Sequence, residues 1–219
     1  MASSIAWTLP GSWQRANTAA PGSRTAMPSA ESRPFDELDE AGLVEACVAQ
    51  RAGAFDLIVE RHRRAVYQLC YRFVGNHEDA SDLSQDVFLR AYRGLRSFRG
   101  QSTLATWLYR IGTNVCLNRV TAKTTLGKLT EPIEEKQFVD TRAESPSERM
   151  LQDERAAQVR AAIAQLPRKQ RATLILRTYH EMSHQEIAEV LGSSVGAVKA
   201  NFFHALRNLK KLLGETEIP

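Results

Sequence analysis

Residues 186–206 read EIAEVLGSSVGAVKANFFHAL, and how this stretch divides decides the fold. Ile187, Val190 and Leu191 recur at helical spacing, and so do Val195, Val198, Phe202, Ala205 and Leu206. Between the two runs stands Gly192, a helix-ending residue that tolerates positive φ, followed by Ser193 and Ser194. Upstream, Ser183 and Glu186 form an S-x-x-E capping box that starts the first run, and Ser194 can cap the restart. The stretch is therefore predicted as a short helix, a tight turn and a longer helix. In a helix-turn-helix of this kind the second helix lies in the DNA major groove. Helical hairpins with no DNA role give similar patterns, so charge has to weigh in. From 167 to 214 there are eight basic residues against three acidic ones. Lys199, Asn201 and His204 are expected to face outward as a cation, an amide and a ring donor, which suit phosphates and base edges.

Working outward, the remaining chain is also helical in pattern. Within 219 residues, room for one or two domains, no convincing strand or internal repeat appears, so the fold class is all-α. LVEACVAQ after Asp39 is amphipathic. Phe55, Ile58, Val59, Val66, Leu69 and Phe73 mark a second helix, which Gly75 and Asn76 end. A third helix carries Ala80, Leu83, Val87 and Ala91 inward. A fourth, with Ser102 as its expected N-cap, buries Leu104, Trp107, Leu108, Ile111 and Val115. The period is lost over 124–147. Residues 124–154 hold eight acidic and four basic side chains, as expected of a solvated acidic linker between two helical domains. Residues 1–34, rich in Ala, Ser, Thr, Gly and Pro, read as a disordered tail or as the product of a start codon assigned too early. Cys47, Cys70 and Cys116 lie far apart within apolar patterns and read as buried free thiols in a reducing cytoplasm. No apolar run approaches the ~18–20 residues of a membrane span, so no membrane insertion is expected.

Charge is segregated along the chain. Asp79, Asp82 and Asp86 share one helical face, which suits either a solvated surface with helix-dipole benefit or a dock for a basic partner. From Phe88 to Lys123 the sign reverses, with seven basic residues, no acidic one, and Phe88, Tyr92, Phe98, Trp107 and Tyr109 interleaved. Cations beside aromatic faces suit contact with single-stranded nucleic acid. Trp107, placed among Leu104, Leu108 and Ile111, is read first as core.

An acidic-then-basic helical module, an acidic linker and a helix-turn-helix together resemble a bacterial sigma factor of the extracytoplasmic function (ECF) group, sigma-70 family. DASDLSQDVFLRAYRGLRSFRGQSTLATWLYRIGTNVCLNR resembles region 2, and LPRKQRATLILRTYHEMSHQEIAEVLGSSVGAVKANFFHAL resembles region 4. The resemblance implies a region 2 domain over 35–123, a linker over 124–147 and a region 4 domain over 148–214. It further implies docking on core RNA polymerase, through its β′ and β subunits, by Asp82, Leu83, Gln85, Asp86 and Phe88. Arg96, Arg99, Gln101 and Ser102 match the loop that captures a flipped base of the promoter −10 element, with Arg110, Asn114, Asn118 and Arg119 on the helix that follows. Lys199, Ala200, Asn201, Phe203 and His204 match the helix that reads the double-stranded −35 element. Asn201 and His204 stand where members often carry Arg, Ala200 where they carry Ser, and Asn118 where Asp is common. An anti-sigma factor is the implied regulatory partner.

Two rival readings share part of this pattern. A helix-turn-helix regulator that never touches polymerase would share the C-terminal module, but not the Asp82–Gln85–Asp86–Phe88 motif or the basic aromatic block. An enzyme is disfavoured. His180 and His184 are split by the helix start at Ser183, with no third ligand nearby. No P-loop, nucleophile elbow or paired-carboxylate site is present, so no catalytic residue, metal or cofactor is expected.

Overall fold

The computed structural model describes residues 38–125 and 146–214. It divides into two compact units that part between Leu57 and Ile58. The first holds α1 (Glu40–Val48) and the opening turn of α2 (Ala54–Val74). Asp39 starts α1 by accepting a hydrogen bond from the Gly42 N–H at 2.8 Å, and Leu43 and Ala46 are buried. The second unit holds the rest of α2, then α3 (His77–Gly94), a short 3-10 turn (Leu95–Ser97) and α4 (Leu104–Thr125). It continues with α5 (Pro146–Gln165), α6 (Arg168–Tyr179), α7 (His184–Leu191) and α8 (Val195–Leu212). Every regular element among the described residues is helical, and none is long and apolar enough to cross a membrane.

Side-chain volume sets the packing. Val66, Leu69 and Phe73 of α2, Ala80, Val87 and Ala91 of α3, and Leu104, Leu108 and Val115 of α4 form one buried cluster. Each such large apolar side chain contributes about 1.5–3 kcal/mol by leaving water. Gly112 lets α4 come close, because a Cβ there would lie 2.8 Å from Leu69 Cδ2 and 3.6 Å from Val87 Cγ2. A second cluster is built from Ile175 and Leu176 of α6, Ile187 of α7, and Val198 and Ala205 of α8. The two clusters are joined, since α4 packs on α7 and touches α6. Arg171, buried in α6, donates to the carbonyl of Phe73 at the end of α2 and to that of Ala164 in α5 at 3.3 Å.

Most helix boundaries follow the sequence signals, and the exceptions have local causes. Asn76 both follows the end of α2 and caps α3, its side chain accepting from the Asp79 N–H at 2.8 Å. The expected Ser102 cap on α4 is corrected to Thr103, whose Oγ1 accepts from the Thr106 N–H at 3.1 Å. Ile111 and Trp107, expected inside, are only half-buried. Val195 and Leu206 belong to the apolar period of α8 yet are 38% and 42% exposed. Cys70 and Cys116 are buried free thiols, whereas Cys47 is only partly covered. The expected tail over 1–34 and most of the linker over 124–147 lie outside the described residues.

Candidate nucleic-acid interface

The helix-turn-helix is set by its caps. Ser183 Oγ accepts from the Glu186 N–H at 3.2 Å, and the Glu186 carboxylate accepts from the Ser183 N–H at 2.7 Å. Those side-chain and backbone bonds lower the Glu186 pKa. Gly192 ends α7 at φ 56°, a left-handed conformation that suits glycine. Ser194 starts α8 by accepting from the Ala197 N–H at 3.2 Å. Asn208 donates to Gln170 at 2.9 Å and ties the far half of α8 to α6.

On α8, Lys199, Ala200, Phe203 and His204 are exposed, Phe203 at 62%. Asn201, expected to face outward, is half-buried. At 3.6 residues per turn it sits about 50° from the buried Val198–Ala205 stripe, while Phe203 and Arg207 occupy the opposite side. Phe202 is likewise half-buried, its ring meeting His184 edge-on at 6.0 Å.

The basic block folds around a cleft. Ser97, Phe98, Arg99, Gln101, Ser102, Thr106, Trp107 and Arg110 line a cavity of about 350 Å³, which Glu189 and Val190 of α7 close on one side. The rings of Phe98 and Trp107 lie 5.2 Å apart at 48°, and Gly94 leaves room for the indole. Two cations, an amide, three hydroxyls and two aromatic faces suit a nucleobase and its phosphate, while Glu189 adds a carboxylate to the same lining. Of the residues expected here, Arg99, Gln101, Ser102 and Arg110 are brought together. Arg96 is exposed on the approach, and Asn114 and Asn118 are exposed on the turns of α4 beyond Arg110. Arg119 is held elsewhere, donating to Asp79 at 2.7 Å. Nothing local sets Phe98 apart from the other interleaved aromatics, and Thr106, Glu189 and Val190 carry no local signal, since tertiary packing alone brings them to the cleft.

The acidic face on α3 is narrower than its spacing suggests. Asp79 turns inward, bonded to Arg119 and to the Asn76 amide at 2.7 Å. Leu83 and Phe88, both in the expected docking set, are 8% and 5% exposed and lie on the inner face of α3. Asp82, Gln85 and Asp86 keep access to solvent. Asp86 receives both Arg90 Nε, at 3.0 Å, and its terminal nitrogen, at 3.0 Å.

Where α4 meets the turn after α6, the Nδ1 of His180 lies 3.2 Å from the Tyr109 hydroxyl, with the rings 4.8 Å apart. Burial, with Arg72 adding its charge, pulls the His180 pKa down to about 4. Burial also raises the pKa of Tyr109. The Arg72 guanidinium stacks 4.1 Å above the Tyr179 ring.

Comparison with known proteins locates these features. The Sigma-70 region 2 family matches residues 58–125, and the family described as Sigma-70, region 4 matches residues 156–209. The chain is 36% identical over 166 residues to the RNA polymerase sigma-H factor of Pseudomonas aeruginosa, covering 73% of this chain and 86% of that one. It is 33% identical over 166 residues to the ECF RNA polymerase sigma factor SigW of Bacillus subtilis, covering 73% and 89%. A co-crystal structure of the sigma factor RpoE with the anti-sigma factor NepR from Bartonella quintana shares the fold, with a TM-score of 0.58 at 20% identity over 76% of this chain and all of that one.

Proposed function

The chain belongs to the sigma-70 family, in its extracytoplasmic function group, and from that membership we propose how its residues divide the work of promoter recognition. It is an alternative sigma factor, a transcription initiation factor that brings core RNA polymerase to selected promoters. It catalyses nothing alone and works in the cytoplasm, where the polymerase is.

Asp82, Gln85 and Asp86 dock α3 on the polymerase, where a basic partner surface meets the exposed Asp82 and the partly exposed Asp86 carboxylates. Arg99, Gln101, Ser102 and Arg110 take the −10 strand, with a base in the cleft between the amide and the Phe98–Trp107 rings. Asn114 and Asn118 continue the track along α4. On α8, Lys199 and His204 meet phosphate or base edges, Ala200 allows close approach and Phe203 offers an apolar contact for a thymine methyl. Asn201 reads a base from the flank of the helix. The region 2 domain spans about 35–123 and the region 4 domain about 148–214. An anti-sigma factor restrains the free protein.

The observation that carries this reading is the cleft itself. It gathers cations, an amide and two rings from one loop and one helix, and a capped helix-turn-helix follows in the same chain. The test is size-exclusion chromatography with purified core polymerase. The full chain should co-elute stoichiometrically and confer binding to promoter fragments. Binding to DNA by the chain alone, with no association with core, would instead make it a regulator that acts apart from polymerase.

A further inference from the structure

The geometry points to Arg119 as a positioning residue, one that fixes the strand track of α4 against α3 and does not itself touch DNA. The inference rests on the reading of α4 as that track. From 110 to 119 the helix turns about 180° at about 100° per residue, so Arg119 lies on the side of α4 opposite Arg110. It follows buried Val115 and Cys116 by about one turn and carries their inner side of the helix out to the rim. There its guanidinium donates to Asp79 at 2.7 Å. Asp79 is engaged on its other side as well. Its second carboxylate oxygen accepts from the Asn76 amide at 2.7 Å, and its N–H donates to the Asn76 side-chain oxygen at 2.8 Å, the cap that starts α3. The Asp79 side chain is only 13% exposed. If Arg119 turned to a phosphate, a largely buried carboxylate would lose its cation, and removing one partner of such a pair costs more than the pair itself is worth.

Helices α3 and α4 pack antiparallel, since the start of α3 meets the far half of α4. The connection between Gly94 and Leu104 closes one end of this hairpin, and Asn76, Asp79 and Arg119 close the other. Asp82 and Asp86 of the docking face follow Asp79 by about one and two turns. Asn118 of the track is the neighbour of Arg119, and Asn114 precedes it by little more than a turn. The pair thus joins the helix held by polymerase to the helix that meets the strand. It sets the angle at which Asn114 and Asn118 are presented once α3 is docked. Breaking it loosens the track without removing any group that meets DNA.

The test uses holoenzymes of core polymerase with the full-length chain, wild type, Asp79→Asn or Arg119→Met. Affinity for a promoter fragment selected with the wild-type holoenzyme is measured across a salt series, and core affinity and the circular dichroism spectrum are measured alongside. The two roles predict opposite signs for Asp79→Asn. A positioning pair makes affinity fall, about three- to tenfold, the range for a residue that acts through a shared network. A DNA-contacting Arg119 would be released by the same change, and affinity would rise. Arg119→Met should fall by a similar factor with the salt slope unchanged, whereas loss of a phosphate contact lowers the slope by about one. Core affinity and the spectrum should stay at wild type in both. Unchanged affinity, a rise in Asp79→Asn, or a lowered slope in Arg119→Met overturns the inference. Loss of core affinity or of the folded spectrum in both variants overturns it too, by making the pair a fold contact alone. If only Arg119→Met fails to fold, the near-isosteric Asp79→Asn decides by its sign. The track reading fails separately, if Arg110→Ala and Asn114→Ala holoenzymes bind the fragment as tightly as wild type.

Discussion

At the scale of single residues, groups that hold the fold differ from groups that face a partner. Asp79 and Asp86 share a helical face, but Asp79 is spent on Asn76 and Arg119 while Asp86 keeps solvent access. Asp86→Arg should abolish co-elution with core polymerase and leave the circular dichroism spectrum unchanged, since an exposed pair such as Asp86–Arg90 is worth only about 0–1 kcal/mol. Retained affinity at moderate salt would remove Asp86 from the docking surface. On α8 the expectations divide by chemistry. Lys199→Ala should weaken binding to all duplexes alike and lower the salt slope by about one phosphate contact. Asn201→Ala should cost roughly 1–3 kcal/mol at one −35 position and relax preference there, as read from promoter libraries selected with each protein. Equal strictness in both libraries would mean that Asn201 reads no base.

At the scale of elements, what was legible followed from local physics. Ser183, Glu186, Gly192 and Ser194 announce α7 and α8 because caps act over three residues of sequence. Thr103 rather than Ser102 caps α4 because two adjacent hydroxyls look alike until the backbone chooses one. Leu83 and Phe88 sit in a motif that reads as a docking surface, yet their helical phase turns them into the core. Glu189 and His180 could not be placed from the sequence, because only the packing of α7 on α4 brings them to the cleft and its seam. Gly112 carries a testable consequence of the helix crossing. Gly112→Val should destabilise the protein by about 1–3 kcal/mol through overpacking against Leu69, measured by urea denaturation. A change within error would mean that Leu69 yields freely.

At the scale of the whole molecule, the contact of α4 with the turn after α6 carries a pH signature. In the unfolded chain the His180 imidazole returns to an ordinary pKa near 6.5, whereas burial in the fold, with the Arg72 charge beside it, holds it at about 4. The unfolded chain thus binds the extra proton between those values. The folded state keeps its full stability above about pH 6.5 and loses it as the pH falls from there towards 4. Urea denaturation at pH 7 and at pH 4.5 should show the loss, and His180→Gln should lessen it. Titration of the His180 ring near 6.5 in the folded protein, read by NMR, would refute its burial.

This chain selects promoters for polymerase, and sequencing the RNA 5′ ends made in vitro from sheared genomic DNA by core polymerase and the purified chain tests that directly. Discrete start sites preceded by a shared pair of −35 and −10 sequences are expected, and none with core alone or with Asp86→Arg. Transcripts that begin at random, or that do not depend on the added chain, would contradict it.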